Sequence, residues 1–246
     1  MFPRSLLLHK IRRRFFPSRL EENLPADQKT LVNQIRDGRL TYLPKAKLAK
    51  IVEICERLDN TKTPGMFLEA GCALGGSAIM IAKLKDPARP LSVYDVFDMI
   101  PPPGEQDGED VHERFEIIRS GKSQGLGGDT YYGYEENLFD KVKQNFADFD
   151  VDLESQNVSL VKGLVQDTMK IDEPVAFAHI DVDWYDPVMH CLNQITPNLS
   201  QGGVIVLDDY FDWSGCRKAT DEFLKTHGDK FSLDGTPGSL CLTRRK

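Results

Sequence analysis

Two apolar runs that end in acids constrain this chain more than anything else in it: AFAHIDVDWYD over residues 176–186 and VIVLDDY over 204–210. Neither run alternates polar with apolar residues, so each reads as a strand buried on both faces. Strands of that kind belong in a parallel sheet covered by helices, whose ligand crevice lies beyond the strand C-termini. Two neighbouring strands would bring Asp181, Asp183, Asp208 and Asp209 into one small space. Carboxylates that close raise one another's pKa values and are costly to bury without a cation. A hard divalent ion with oxygen ligands satisfies them.

The rest of the chain supplies that sheet. Pro44 opens a helix in which Leu48, Ile51, Val52, Cys55 and Leu58 keep helical spacing. Strands are expected at 66–70, 91–94, 158–161, 175–180 and 204–207. Helices are expected between them at 77–85, 111–119, 135–146 and after Asp186, with another at 213–226. Residues 101–104, Pro-Pro-Pro-Gly, are a plain breaker, and 121–133, rich in glycine and tyrosine, reads as a long loop of the kind that forms lids. The segment 231–243 looks like two strands around a glycine turn. The expected fold is α/β: a Rossmann-like doubly wound, mostly parallel sheet with a C-terminal antiparallel hairpin.

Between the first strand and its helix lies FLEAGCALGGS, residues 67–77. Glycines at such a turn let backbone approach a ligand closely and aim helix N-terminal amides at it. Glu69 would repel a pyrophosphate and attract an amino group, which a methionine-type cofactor carries. A tight connection without a ligand explains the glycines equally well on their own. Asp95, at the end of the second strand, stands where an acid accepts hydrogen bonds from ribose hydroxyls; a cap or solvated aspartate is the plain alternative. Together Glu69, Gly71 and Asp95 favour a nucleoside site.

The chain has 246 residues and a formal net charge of -7, which gives general nucleic-acid binding no electrostatic support. Its five cysteines form no C-x-x-C pair, which argues against a zinc site or disulfide framework and fits a reducing cytoplasm. No apolar run reaches the roughly 18 residues of a membrane span. Residues 1–20 carry Arg4, Lys10, Arg12, Arg13, Arg14 and Arg19, no acid, and several large apolar side chains. A membrane-surface helix or a presequence has that composition, but a dimer-contact arm or a flap on the acidic body is favoured. The expected division is a basic arm over 1–40 and one catalytic domain over 41–246, with self-association left open.

Glu69-Ala-Gly71-x-x-x-Gly75-Gly76-Ser77, Asp167-Thr168, His179-Ile-Asp181-Val-Asp183-x-Tyr185 and Gly202-Gly-x-x-x-x-Asp208-Asp209-Tyr210 together resemble the macrocin O-methyltransferase family. The resemblance covers roughly residues 41–241. It implies a class I fold, S-adenosylmethionine as cofactor, Mg²⁺ or another hard divalent cation, and a small hydroxylated acceptor such as a sugar of a natural product. It also implies Asp181, Asp208 and Asp209 as metal ligands and Asp183 as general base. For the cofactor it implies contacts from Glu69, Gly71, Ala73, Gly75, Ser77, Asp95, Asp167, Thr168 and Asp181, with Tyr42 in a covering segment.

Several of these residues have plainer readings. Asp183 also suits a helix N-cap, and Asp167 and Thr168 a capped turn. His179, inside an apolar run, is more in keeping with a satisfied core histidine than a metal ligand. Trp184, Tyr185 and Tyr210 either wall the acceptor pocket or pack at the sheet edge. Two rival functions remain open at this level. Asp181-Val-Asp183 is also a D-x-D motif that would hold a metal and a nucleotide sugar in a glycosyltransferase, and a Rossmann-like scaffold would bind without catalysis.

Overall fold

The protein is described here by a computed structural model covering residues 20–245. Seven strands form one sheet in the order β3-β2-β1-β4-β5-β7-β6. They are β1 (Met66–Ala70), β2 (Leu91–Asp95), β3 (Val158–Lys162), β4 (Val175–Ile180), β5 (Leu199–Leu207), β6 (Phe231–Asp234) and β7 (Leu240–Arg244). Strands β1 to β5 pair in parallel, and β7 runs antiparallel between β5 and β6. The hairpin expected at the C-terminus therefore inserts its second strand next to the parallel body.

Helices α1 (Ala26–Asp37), α2 (Lys45–Asn60), α3 (Gly76–Leu84) and α5 (Leu138–Asp148) cover one face; α6 (Tyr185–Ile195) and α7 (Ser214–His227) cover the other. Helix α4 (Glu109–Arg119) lies between β2 and α5 in sequence and buries Val111, Phe115 and Ile118. Helix α2 turns its apolar stripe, Leu48, Ile51, Val52, Cys55 and Leu58, into the core, as its spacing requires. Helix α3 is apolar all round because it is enclosed: residues 76–82 are all buried.

Residues 26–37, assigned from sequence to the arm, form α1 and bury Leu31, Val32 and Ile35 in the core. The folded body thus begins before residue 41, because those three apolar side chains recur at i, i+1 and i+4 and need a surface to cover. The strongly basic stretch up to Arg19 lies outside the described residues. Among the described residues no helix is long and apolar enough to cross a membrane.

Strand order reverses between β1 and β4, and this switch point opens a crevice at their C-terminal ends. The first residues beyond those strands are Gly71 and Asp181, whose backbones continue the ladder. Gly71 N donates to Tyr94 O and Asp181 N to Ala70 O, each at 2.8 Å.

Candidate active site

The glycine turn is shaped by its crowding. Gly71 has φ +83°, and a Cβ built there would lie 2.8 Å from the carbonyl carbon of Asp181 and nearer still to its oxygen. No side chain fits without moving the strand end. Asp95 ties the turn down: its Oδ2 accepts from Cys72 N at 2.7 Å and Ala73 N at 3.2 Å, and its Oδ1 from Phe97 N at 2.7 Å. Burial raises the Asp95 pKa, and these backbone N–H donors oppose the rise. A carboxylate offers about four lone-pair sites, so one on Oδ1 stays available for a ligand hydroxyl.

The acids meet as the two strand ends demand. Ligand oxygens of Asp181, Asp183 and Asp209 all lie within 4.8 Å of one another, and those of Asp208, Asp209 and Asp212 form a second such group. Burial, then the charges of Asp209 and Asp208, pushes the Asp181 carboxyl well above its ordinary range. Burial, then Asp183 and Asp208, does the same to Asp209, whose Oδ2 is buried without a hydrogen-bond partner. For Asp183, burial and the Asp181 charge raise the pKa to about 7, against the pull of Arg114. Asp183 holds the left-handed φ of +56°, and its carbonyl accepts from Cys216 N at 3.0 Å. A non-glycine residue kept in that region marks a conformation imposed by its surroundings.

Asp208 is differently engaged. Lys47 Nζ donates to its Oδ2 at 2.9 Å and to its backbone oxygen at 3.2 Å, and Ser239 Oγ donates to its Oδ1 at 2.8 Å. Lys47 also reaches Asp212 at 3.2 Å. Sequence reasoning missed both partners. Lys47 is one of three lysines in the first turns of its helix, with nothing local to single it out, and Ser239 comes from the terminal hairpin.

Glu69 faces inward. It is fully buried on β1, lines neither cavity of the crevice, and its Oε1 sits 2.7 Å from His179 Nδ1, directly across the ladder on β4. Burial works against a charged imidazole, but the Glu69 hydrogen bond and charge outweigh it and lift His179 to about 9. His179 is thus a core histidine paired with an acid through Nδ1, while its Nε2 and the Glu69 Oε2 are buried without a hydrogen-bond partner. The cofactor amino group expected at Glu69 finds no cavity wall there, because alternation along β1 turns the side chain under the helices.

Two connected cavities share Gly71, Asp95, Tyr132, Asp181, Asp183 and Trp184. The narrower, of about 160 Å³, runs past Asp95, Val96 and Asp98 to a wall made by residues 163–166. Asp167 and Thr168 lie just beyond that wall, where Thr168 Oγ1 donates to Leu164 O. Ala73 lines the wider cavity; Gly75 and Ser77 line neither. Pro101 and Pro102, read from sequence as a breaker, line the narrow cavity, and Pro101 O accepts from Trp184 Nε1 at 3.0 Å.

The wider cavity, of about 520 Å³, carries the acids, Lys47, Arg114 and an aromatic set that includes Tyr42, Tyr131 and Tyr132. Tyr42, 41 % exposed, meets Tyr132 edge-on at 5.9 Å, and Trp184 meets Trp213 at 6.0 Å. Of the aromatics expected beside the acids, Trp184 alone lines this cavity. Tyr185 Oη instead donates to Glu222 and Tyr210 Oη to Asp221.

The sequence profile of the Macrocin-O-methyltransferase (TylF) family matches residues 3–235. The chain belongs to this family. It is an S-adenosylmethionine-dependent O-methyltransferase, which displaces the glycosyltransferase and scaffold readings of the same acids. This TylF-family enzyme is 26 % identical over 189 residues to demethyldecarbamoylnovobiocin O-methyltransferase of Streptomyces niveus, covering 74 % of the chain and 67 % of the relative. It is 28 % identical over 229 residues to 8-demethyl-8-(2,3-dimethoxy-alpha-L-rhamnosyl)-tetracenomycin-C 4'-O-methyltransferase of Streptomyces olivaceus, covering 89 % and 78 %. Its fold matches the O-methyltransferase NovP with a TM-score of 0.68 at 23 % identity, over 84 % of this chain and 83 % of the other. The SAH-bound methyltransferase PaMTH1 of Podospora anserina matches with 0.56 at 16 %, over 100 % and 98 %.

Proposed function

We propose that the enzyme methylates a hydroxyl of a sugar or glycosylated small molecule with the help of a divalent cation, Mg²⁺ foremost, held in the acidic nest. The observation that carries this reading is the convergence of Asp181, Asp183 and Asp209 on the wall of the wider cavity, where Asp181 and Asp183 also face the narrower one. The nest fits a hard cation by its chemistry: all-oxygen donors, raised pKa values and the unpartnered Oδ2 of Asp209. The relatives, named for a novobiocin precursor and a rhamnosyl tetracenomycin, support a glycosylated acceptor.

Bound S-adenosylmethionine supplies an electrophilic methyl group, and a bound cation supplies Lewis acidity that lowers the pKa of an acceptor hydroxyl. The chain's residues do the rest. Asp95 would offer its spare lone pair to the ribose, while the turn through Gly71 and Ala73 would lie against the cofactor. Asp181 and Asp209 would hold the cation; Asp208, which groups with Asp209 and Asp212 and already accepts from Lys47 and Ser239, would complete the ligand set through a remaining lone pair. Asp183 takes the hydroxyl proton as the oxygen attacks. Tyr42 and Tyr132 close over the wider cavity and exclude water.

Methyl transfer to a panel of glycosides, before and after chelation, tests the proposal. Chelation should abolish turnover and Mg²⁺ restore it. Asp183→Asn should keep affinity for S-adenosylhomocysteine while losing about a hundredfold or more in kcat. Undiminished turnover after chelation would remove the cation from the reading, and wild-type rates in Asp183→Asn would remove the base.

A further inference from the structure

The wall of the wider cavity contains two cations, Lys47 and Arg114. Lys47 is committed to Asp208 and Asp212. Arg114 has no such commitment: among the described residues no carboxylate pairs with it, although the same wall carries six aspartates.

Its guanidinium is nevertheless held in place. One Nη donates to Ser123 Oγ at 3.0 Å, and the group lies 5.8 Å over the Tyr131 ring. Ser123 is fixed in turn, its N–H donating to Tyr134 Oη at 3.2 Å while that hydroxyl donates to Ile118 O. Ordering a long side chain costs conformational entropy, and partly desolvating a charge whose facing carboxylate, Asp183, acts on it only without direct contact costs more. Most of the five N–H donors of Arg114 remain free, in the planar fork that matches a carboxylate or phosphate. The aspartates on the rest of that wall disfavour an anion beside them, which leaves the fork as the place for one.

We propose that Arg114 binds an anionic group of the acceptor, so that the sugar methylated carries a carboxylate or a phosphate. The inference rests on the sugar O-methyltransferase reading above and narrows its substrate class. With the anion on Arg114 and the sugar ring among Tyr42, Tyr131 and Tyr132, the hydroxyl to be methylated faces Asp183.

Three acceptors separate the alternatives: a glucuronide, a glucosyl phosphate and the matching neutral glucoside, each assayed with Mg²⁺ and S-adenosylmethionine and titrated calorimetrically. The wild-type enzyme should prefer one anionic acceptor by about tenfold to a hundredfold in kcat/KM, the worth of a charged hydrogen-bonded pair. The preferred probe identifies the anion as carboxylate or phosphate. Arg114→Gln should bring that ratio close to one through KM, and Arg114→Lys should restore part of it. Unchanged affinity for S-adenosylhomocysteine in both variants confirms that the fold is intact.

Equal use of anionic and neutral acceptors by the wild type, or an equal loss on all three in Arg114→Gln, would overturn the proposal. If none of the three is methylated, calorimetry decides. Arg114-dependent binding of an anionic probe supports the site and counts only against the hydroxyl-transfer reading. Anionic probes binding no tighter than the neutral one overturn the site.

Discussion

Replacing Gly71 with alanine tests whether the switch point is as tightly closed as its geometry implies. The left-handed φ of +83° costs an alanine roughly 1–2 kcal/mol. The new methyl also falls 2.8 Å from the carbonyl carbon of Asp181, against an optimum of about 3.5–4.0 Å, so the ends of β1 and β4 must part. Parting them strains two backbone hydrogen bonds, Gly71 N to Tyr94 O and Asp181 N to Ala70 O, each worth about 1 kcal/mol. The sum is about 3–4 kcal/mol, a large share of a domain's net stability. Urea denaturation reads the loss, and calorimetry with S-adenosylhomocysteine should show weakened binding because Gly71 and Asp181 line both cavities. Ala73→Gly is the control, since Ala73 also has a left-handed φ, +48°; it should stay within about 1 kcal/mol of wild type. A Gly71→Ala protein destabilised by less than about 1 kcal/mol, with cofactor affinity intact, would refute the steric argument.

Lys47→Met should cost about 3–5 kcal/mol in urea denaturation, because it strands the buried Asp208 carboxylate, and adding Asp208→Asn should recover most of the loss. Lys85 provides a pH signature away from the site: burial lowers its pKa from 10.5 to about 8 against the pull of Asp59. Between pH 8 and 10.5 the unfolded chain then binds more protons than the folded one, so Lys85 makes stability rise with pH across that window. The wild type should gain about 1–3 kcal/mol there relative to Lys85→Gln, and a flat difference would contradict the shift. All five cysteines are buried, and burial raises the pKa of each. A thiol reagent should label none of them in the native protein and all five after denaturation.

The strands and the meeting of the acids were legible in the sequence because both are local signals. An apolar run followed by aspartates states a buried strand and its C-terminal end, and the parallel order of β1 to β5 follows from the helices between them. What the sequence hid was sidedness and long-range pairing. Nothing local shows whether Glu69 points up into the crevice or across to His179. That depends on which strand becomes its neighbour, and the answer moved a presumed cofactor contact into the core. Lys47, Arg114 and Ser239 were invisible for the same reason: each joins the crevice from a segment with no acid of the cluster near it in sequence. The proline run at 101–104 shows the opposite error, where a good local reading as a breaker obscured a position that lines the narrow cavity.

The place of β7 between β5 and β6 has a consequence for how the enzyme comes into being. During synthesis, a chain that has reached α7 already contains all four aspartates of the two motifs, yet the outer edge of β5 has no neighbour and Asp208 lacks the Ser239 hydroxyl. Residues 239–244 supply both at once, so the nascent chain acquires its finished sheet and its finished acidic nest in the same late step. A polypeptide halted before that point would carry the family's motifs without a settled place for them.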